Sequence, residues 1–95
     1  MNILIAGGNG EVGRDLSYYF SKNNKIIVGS RSQNNSRKGN ILFKKIDFSK
    51  KITINQDIDL IINCIATHNY SKKKDFEDYY KSNVLSVMNL IKFAE

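Results

Sequence analysis

The chain reads as an α/β protein, a parallel sheet with flanking helices. Three observations lead there. Four short apolar runs follow one another, a glycine-rich turn joins the first run to a helical segment, and the carboxyl-terminal stretch has helical spacing. Strands that alternate with helices need crossover connections, and crossovers make parallel sheets.

Asn2 to Ala6 is the first strand, a buried run of Ile, Leu and Ile. The turn after it fits two spacings: Gly8, Gly10 and Gly13 satisfy G-x-G-x-x-G, and Gly7, Gly10 and Gly13 satisfy G-x-x-G-x-x-G. Glycine has no Cβ and tolerates positive φ, so backbone can come close to phosphate oxygens. Glu11 to Lys22 is the first helix, whose N-terminus offers free N–H groups and partial positive charge to an anion. Gly13 lets that helix pack closely on the strand. A glycine turn between a strand and a helix is a place to bind a diphosphate.

Lys25 to Gly29 is the second strand. Ser30 to Asn40 is polar and reads as a loop with a poor helix inside it. Ile41 to Ile46 is the third strand, and Ser49 to Gln56 is a short helix or turn in which Ile52 and Ile54 offer limited burial. Asp59 to Ala66 is the fourth strand, expected to be buried on both faces. Asp75 to Glu95 is the longest helix, and its apolar residues form more than the single stripe of a surface helix. One face can cover the sheet while the other wants a second partner. Right-handed crossovers from the first strand give the order 3-2-1-4, part of a doubly wound Rossmann-type sheet.

Ninety-five residues, 41% hydrophobic and 25% charged, make one domain, residues 1–95. No apolar run approaches the roughly 20 residues a membrane helix needs, and a cytoplasmic protein is expected. Cys64 is the only cysteine, so a disulfide framework and a cysteine metal cluster are excluded. Its simplest role is a small buried residue. The net charge of +6 raises a nucleic-acid reading, but the lysines and arginines are spread over several loops. A nucleic-acid binder gathers its charge on one face or helix, so that reading is disfavoured.

Four sets of residues resemble the extended short-chain dehydrogenases/reductases, in particular the NAD(P)-dependent epimerase/dehydratase and dTDP-4-dehydrorhamnose reductase-like members. Gly7, Gly10 and Gly13 match the phosphate loop, with Glu11 and Val12 inside it. Asp47-Phe48 match an Asp-hydrophobic pair at the end of the third strand that contacts adenine in the family. Asn63-Cys64-Ile65-Ala66 resemble the segment beside the cofactor's ribose and nicotinamide. Asn83-Val84 with Asn89-Leu90 resemble the helix pattern Asn-Val-x-Gly-Thr-x-Asn-Leu. The resemblance covers the whole chain but only the N-terminal part of the family's domain.

There are departures. Ser86 and Val87 stand where the family usually has glycine and threonine, and Ile65 is bulkier than the usual alanine. The family's catalytic Tyr-x-x-x-Lys lies on a later helix, past a fifth strand, which this chain is expected to stop short of. Tyr70 and Lys74 match that motif in letters but fall in a polar, lysine-rich connection where a solvated loop is favoured. The resemblance gives Asn83 a backbone role beside a proton relay whose lysine is missing. Thr67 would line the nicotinamide side, and His68, the only histidine, has no candidate metal partner.

The second strand ends Val28-Gly29-Ser30-Arg31 with no acid nearby. NAD sites usually carry an acid there for the ribose 2′-hydroxyl, and NADP sites an arginine. Arg31 can fork onto a 2′-phosphate, and Ser30 can add a hydroxyl donor. NADP is therefore preferred over NAD. The expected function is the NAD(P)-binding segment of an oxidoreductase or nucleotide-sugar epimerase/reductase, inactive alone. Its expected partner is a missing C-terminal half, or a second copy through the 75–95 helix. The alternatives are a non-catalytic NADP-sensing module and a small basic nucleic-acid binder.

Overall fold

A computed structural model describes residues 1–7, 11–31, 34–65, 77 and 80–95. Its strands are β1 (Asn2–Ala6), β2 (Lys25–Ser30), β3 (Ser36–Lys38), β4 (Ile41–Lys45) and β5 (Leu60–Asn63). Helix α1 spans Glu11–Ser21, and α2 spans Ser86–Ala94 after a π-helical turn at Lys81–Leu85. One sheet holds all five strands in the order β3-β4-β2-β1-β5. β4, β2, β1 and β5 are parallel, with Ile5 opposite Val28 on one side and Ile62 on the other. These four reproduce the 3-2-1-4 order read from sequence.

β3 is the addition. It pairs antiparallel with β4, Arg37 opposite Leu42, inside the segment expected to be a loop with a poor helix. Ser-Arg-Lys has no apolar residue to announce a strand, and all three residues are exposed. Backbone pairing forms this edge, helped by Lys38, whose Nζ sits 5.7 Å from the centroid of the Tyr18 ring on α1. Just before β3, the Asn35 side chain accepts a 2.8 Å hydrogen bond from the Lys45 N–H.

Side chains alternate across a strand, so each apolar run feeds two layers. Ile3, Ile5, Ile26, Val28 and Ile41 form one core, covered by Leu16 and Phe20 of α1. Leu4, Ala6 and Ile27 form the other with Phe48, Ile52 and Leu90, so α2 and the segment after β4 cover the opposite face. That segment makes turns rather than a helix, and Ile52 is buried more fully than expected. β5 differs as well. Leu60 is 40% exposed, and among the described strands β5 borders β1 alone. The expectation of a fourth strand buried on both faces is thus corrected, and Cys64 beyond it is only half-buried.

α1 closes onto the sheet through its small residues Gly13 and Ser17, both buried, with the Ser17 hydroxyl donating to the Gly13 carbonyl at 2.7 Å. No glycine ends this helix. Asn24 donates to the Phe20 carbonyl at 3.0 Å and Asn40 to the Ser21 carbonyl at 3.1 Å, which satisfies carbonyls a helix end leaves open. Ser86 is buried in α2, so serine serves where the resemblance expected glycine.

Gly29 shows how closely the second layer is packed. A Cβ there would lie 2.6 Å from Phe48 Cζ and 2.9 Å from Ile46 Cδ1. Gly29→Ala is expected to cost roughly 1–3 kcal/mol by overpacking. It should lower the urea midpoint at constant slope, and Phe48→Leu in the same chain should recover part of the loss.

Candidate functional site

Parallel strands all end at the same side of a sheet, and in open α/β sheets ligands bind at that carboxyl edge, where the strand order reverses. Here the reversal flanks β1: α1 leads out to β2 on one side, and β5 lies on the other. Gly7 leaves β1 at that point with φ +76°, and its N–H donates to the Gly29 carbonyl at 2.8 Å. A Cβ at Gly7 would lie 2.9 Å from Ile65 Cγ1 and 3.1 Å from the Cys64 carbonyl carbon. Both conformation and space therefore require glycine. On the other side, the Cys64 N–H donates to the Ala6 carbonyl at 2.8 Å. The ends of β2, β1 and β5 are drawn together around one turn.

Glu11 and Val12 open α1 and are exposed, while Gly13 is buried against the sheet. At the end of β2, Ser30 is buried and Arg31 exposed. The Ser30 carbonyl accepts from the Ile46 N–H at 3.1 Å, which brings the exit of β4 beside them. There Asp47 builds a turn. One carboxylate oxygen accepts from the Ser49 hydroxyl at 2.6 Å and from the Ser49 N–H at 3.0 Å. Phe48 is buried in the layer below, and its carbonyl accepts 2.9 Å from the Asn89 amide of α2. After β5, the Asn63 side chain accepts from the Ile65 N–H at 3.0 Å.

The structure thus brings Gly7, Ser30, Arg31, Asp47, Phe48, Cys64 and Ile65 to one edge of the sheet. Asn83 is exposed in the π-helical turn ahead of α2. Gly10, Ala66, Thr67, His68, Tyr70 and Lys72 to Lys74 lie outside the described residues. Sequence reasoning passed over Asn89 as a site residue and read it only as a letter of the family pattern. Its donation to the Phe48 carbonyl depends on α2 crossing over the exit of β4, which spacing along the chain does not show.

The Ser49 hydroxyl does most to hold the Asp47 carboxyl below its ordinary value of 3.8. Partial burial opposes it, and the Ser49 N–H, Lys50 and Arg31 add to the lowering. Burial pushes the Cys64 thiol up, which keeps it protonated and a poor nucleophile. Among the described residues no three His, Cys, Asp or Glu side chains are grouped to hold a metal ion, and no helix is long and apolar enough to cross a membrane.

Folding favours the ionised Asp47, so its contribution is complete above the unfolded value. It is lost as pH falls through the lower folded value. Ser49→Ala is expected to move the carbon-13 titration midpoint of the Asp47 carboxyl upward. The variant's stability deficit should be largest near neutral pH and shrink as pH falls through the lowered folded value. An unchanged midpoint would mean that the hydroxyl does not hold this carboxylate.

The sequence profile of the NAD dependent epimerase/dehydratase family matches residues 3–95. No curated protein matches the chain. Among solved structures it is similar to uronate dehydrogenase from Agrobacterium tumefaciens, with TM-score 0.78 and 17% identity, over 98% of this chain and 35% of that one. It is similar also to a UDP-galactose 4-epimerase, with TM-score 0.83 and 16% identity, over 99% of this chain and 34% of the other. A dTDP-glucose 4,6-dehydratase from Bacillus anthracis, solved with NAD, gives TM-score 0.72 and 21% identity over 99% and 33%. Another similar structure has NADPH bound. At these identities the likeness is one of fold, and the chain spans about a third of the length of these three. With its fold shared and nearly every residue matched by the profile, the chain belongs to the NAD dependent epimerase/dehydratase family.

Proposed function

We propose that this chain is the dinucleotide-holding segment of a reductase or epimerase, and that it takes NADP in preference to NAD. The observation that carries the reading is the turn at Gly7. Its positive φ and the close approach of Ile65 keep the switch point free of side chain and leave backbone to face a diphosphate. The residues fit such a ligand from end to end. Gly7 and the N-terminus of α1 take the diphosphate, Asp47 and Phe48 the adenine, and Cys64 and Ile65 border the nicotinamide side.

The preference for NADP rests on Arg31. It is exposed at the end of β2, and its charge reaches Asp47. A guanidinium binds a phosphate in two parallel hydrogen bonds, with the buried Ser30 alongside. When bound, the nicotinamide supplies the hydride-exchanging centre. The residues of this chain bind and orient it, and none is assigned a catalytic role. Acid–base groups and substrate contacts belong to the two thirds of the relatives' length that this chain does not span. The exposed side chains of Val84 in the π-helical turn and of Met88 and Ile91 on α2 form an apolar surface where that remainder, or a second copy, packs.

Titration of the chain with NADPH and NADH, repeated with Arg31→Ala, tests the reading. NADPH should bind more tightly, and the variant should lose about tenfold or more for NADPH with little change for NADH. Equal affinity of the original chain for both would overturn the NADP preference. Binding of neither by folded protein would overturn the dinucleotide reading. Salt-sensitive RNA or DNA binding that survives Gly13→Ala would favour the nucleic-acid alternative.

A further inference from the structure

The turn Asp47–Lys50 is held from below, from within and from the side. Below, the Phe48 ring fills the space that Gly29 leaves open. Within, Ser49 closes on the Asp47 carboxylate, and the Lys50 N–H donates to the Asp47 carbonyl at 3.2 Å. From the side comes a group 41 residues away in sequence: the Asn89 amide donates to the Phe48 carbonyl at 2.9 Å. This carbonyl lies in the peptide that follows Asp47-Phe48, so its orientation fixes how the turn leaves the sheet. Asn89 sits between two anchors, since Ser86 and Leu90 of the same helix are buried. A donor set on so firmly seated a helix face has little freedom to follow the carbonyl if the turn shifts.

We infer that Asn89 is a positioning residue for the adenine side of the dinucleotide site: its amide fixes the Asp47–Lys50 turn through the Phe48 carbonyl, and so couples the seating of α2 to affinity for the adenosine half of the ligand. The inference rests on the dinucleotide reading above. Asn89 acts on the ligand only through the turn. A hydrogen bond that is half-buried and made to a backbone carbonyl contributes modestly to stability. Loss of the donor should therefore loosen one turn and leave the sheet intact.

Asn89→Asp replaces the donor by an acceptor of the same shape, and Asn89→Ala removes it without the added repulsion, so the second variant serves if the first folds poorly. Two readouts are taken on the full chain. The first is amide hydrogen exchange without ligand. It should speed up at Ser49 and Lys50 in both variants, with the β1 amides of Ile3 to Ile5 unchanged. The second is affinity for adenosine 2′,5′-bisphosphate and for NADPH, which should both fall about three- to tenfold. Faster exchange throughout the chain would show a general structural role and overturn the inference. So would unchanged exchange and unchanged affinity, in a chain whose original form binds NADPH. If the original chain binds neither ligand, the inference falls with the dinucleotide reading. That result is distinguishable, because it appears before any substitution is made.

Discussion

The approach of Gly7 to the exit of β5 is the constraint on which the carboxyl edge depends. β1 lies between β2 and β5, which diverge from it on opposite sides. Such a divergence would open a gap at the strand ends, but here it is closed from both sides. The Gly7 N–H reaches across to β2 while the Cys64 N–H reaches back to β1, and Ile65 occupies the space a side chain on Gly7 would need. A larger residue would have to move either the exit of β5 or the start of α1. Each carries groups of the candidate site, so one glycine fixes the relative position of two halves that belong to different crossovers.

The same logic recurs wherever two elements meet. Gly29 admits the Phe48 ring beneath the Asp47 turn, Gly13 and Ser17 let α1 sit down on β1 and β2, and Ser86 does this for α2. Small residues cost the core contact area, yet they allow backbones to approach, and the approach brings strand ends into register with the turns above them. This explains why serine in place of the family's usual glycine at position 86 leaves the packing intact. A buried serine is still small, and this one has a partner for its polar atom or backbone.

The four parallel strands and their order were legible because buried strands are written as uninterrupted apolar runs, and because a right-handed crossover leaves few orders open. The glycine turn was legible for the same kind of reason, since positive φ leaves a mark in the residue type. β3 was not legible: Ser36, Arg37 and Lys38 make a strand through backbone hydrogen bonds to β4, and nothing in their side chains reports that. The exposure of β5 was hidden too. Leu60, Ile61 and Ile62 spell a buried strand, but burial depends on neighbours, and among the described strands β5 pairs with β1 alone. Asn89 shows a third kind of limit. Its letter was visible, while its bond to Phe48 depends on how a helix crosses a turn, which no local pattern encodes.

The site therefore spans a boundary between unequal halves of the fold. β1 and β2 are almost fully buried, whereas β5 is partly exposed, and so are Val84 in the π-helical turn and Met88 and Ile91 on α2. Elements with fewer buried contacts open at lower free energy than the centre of a sheet. Gly7, Ser30 and Arg31 hang on the buried half, while Ile65 and the carbonyl fixed by Asn89 depend on the exposed one. A ligand that engages both halves stabilises the second through the first by mass action, and a chain segment packed on α2 does so from the opposite direction. The two effects meet at the Asp47–Lys50 turn, because its Phe48 packs against Gly29 of β2 and accepts from Asn89 of α2.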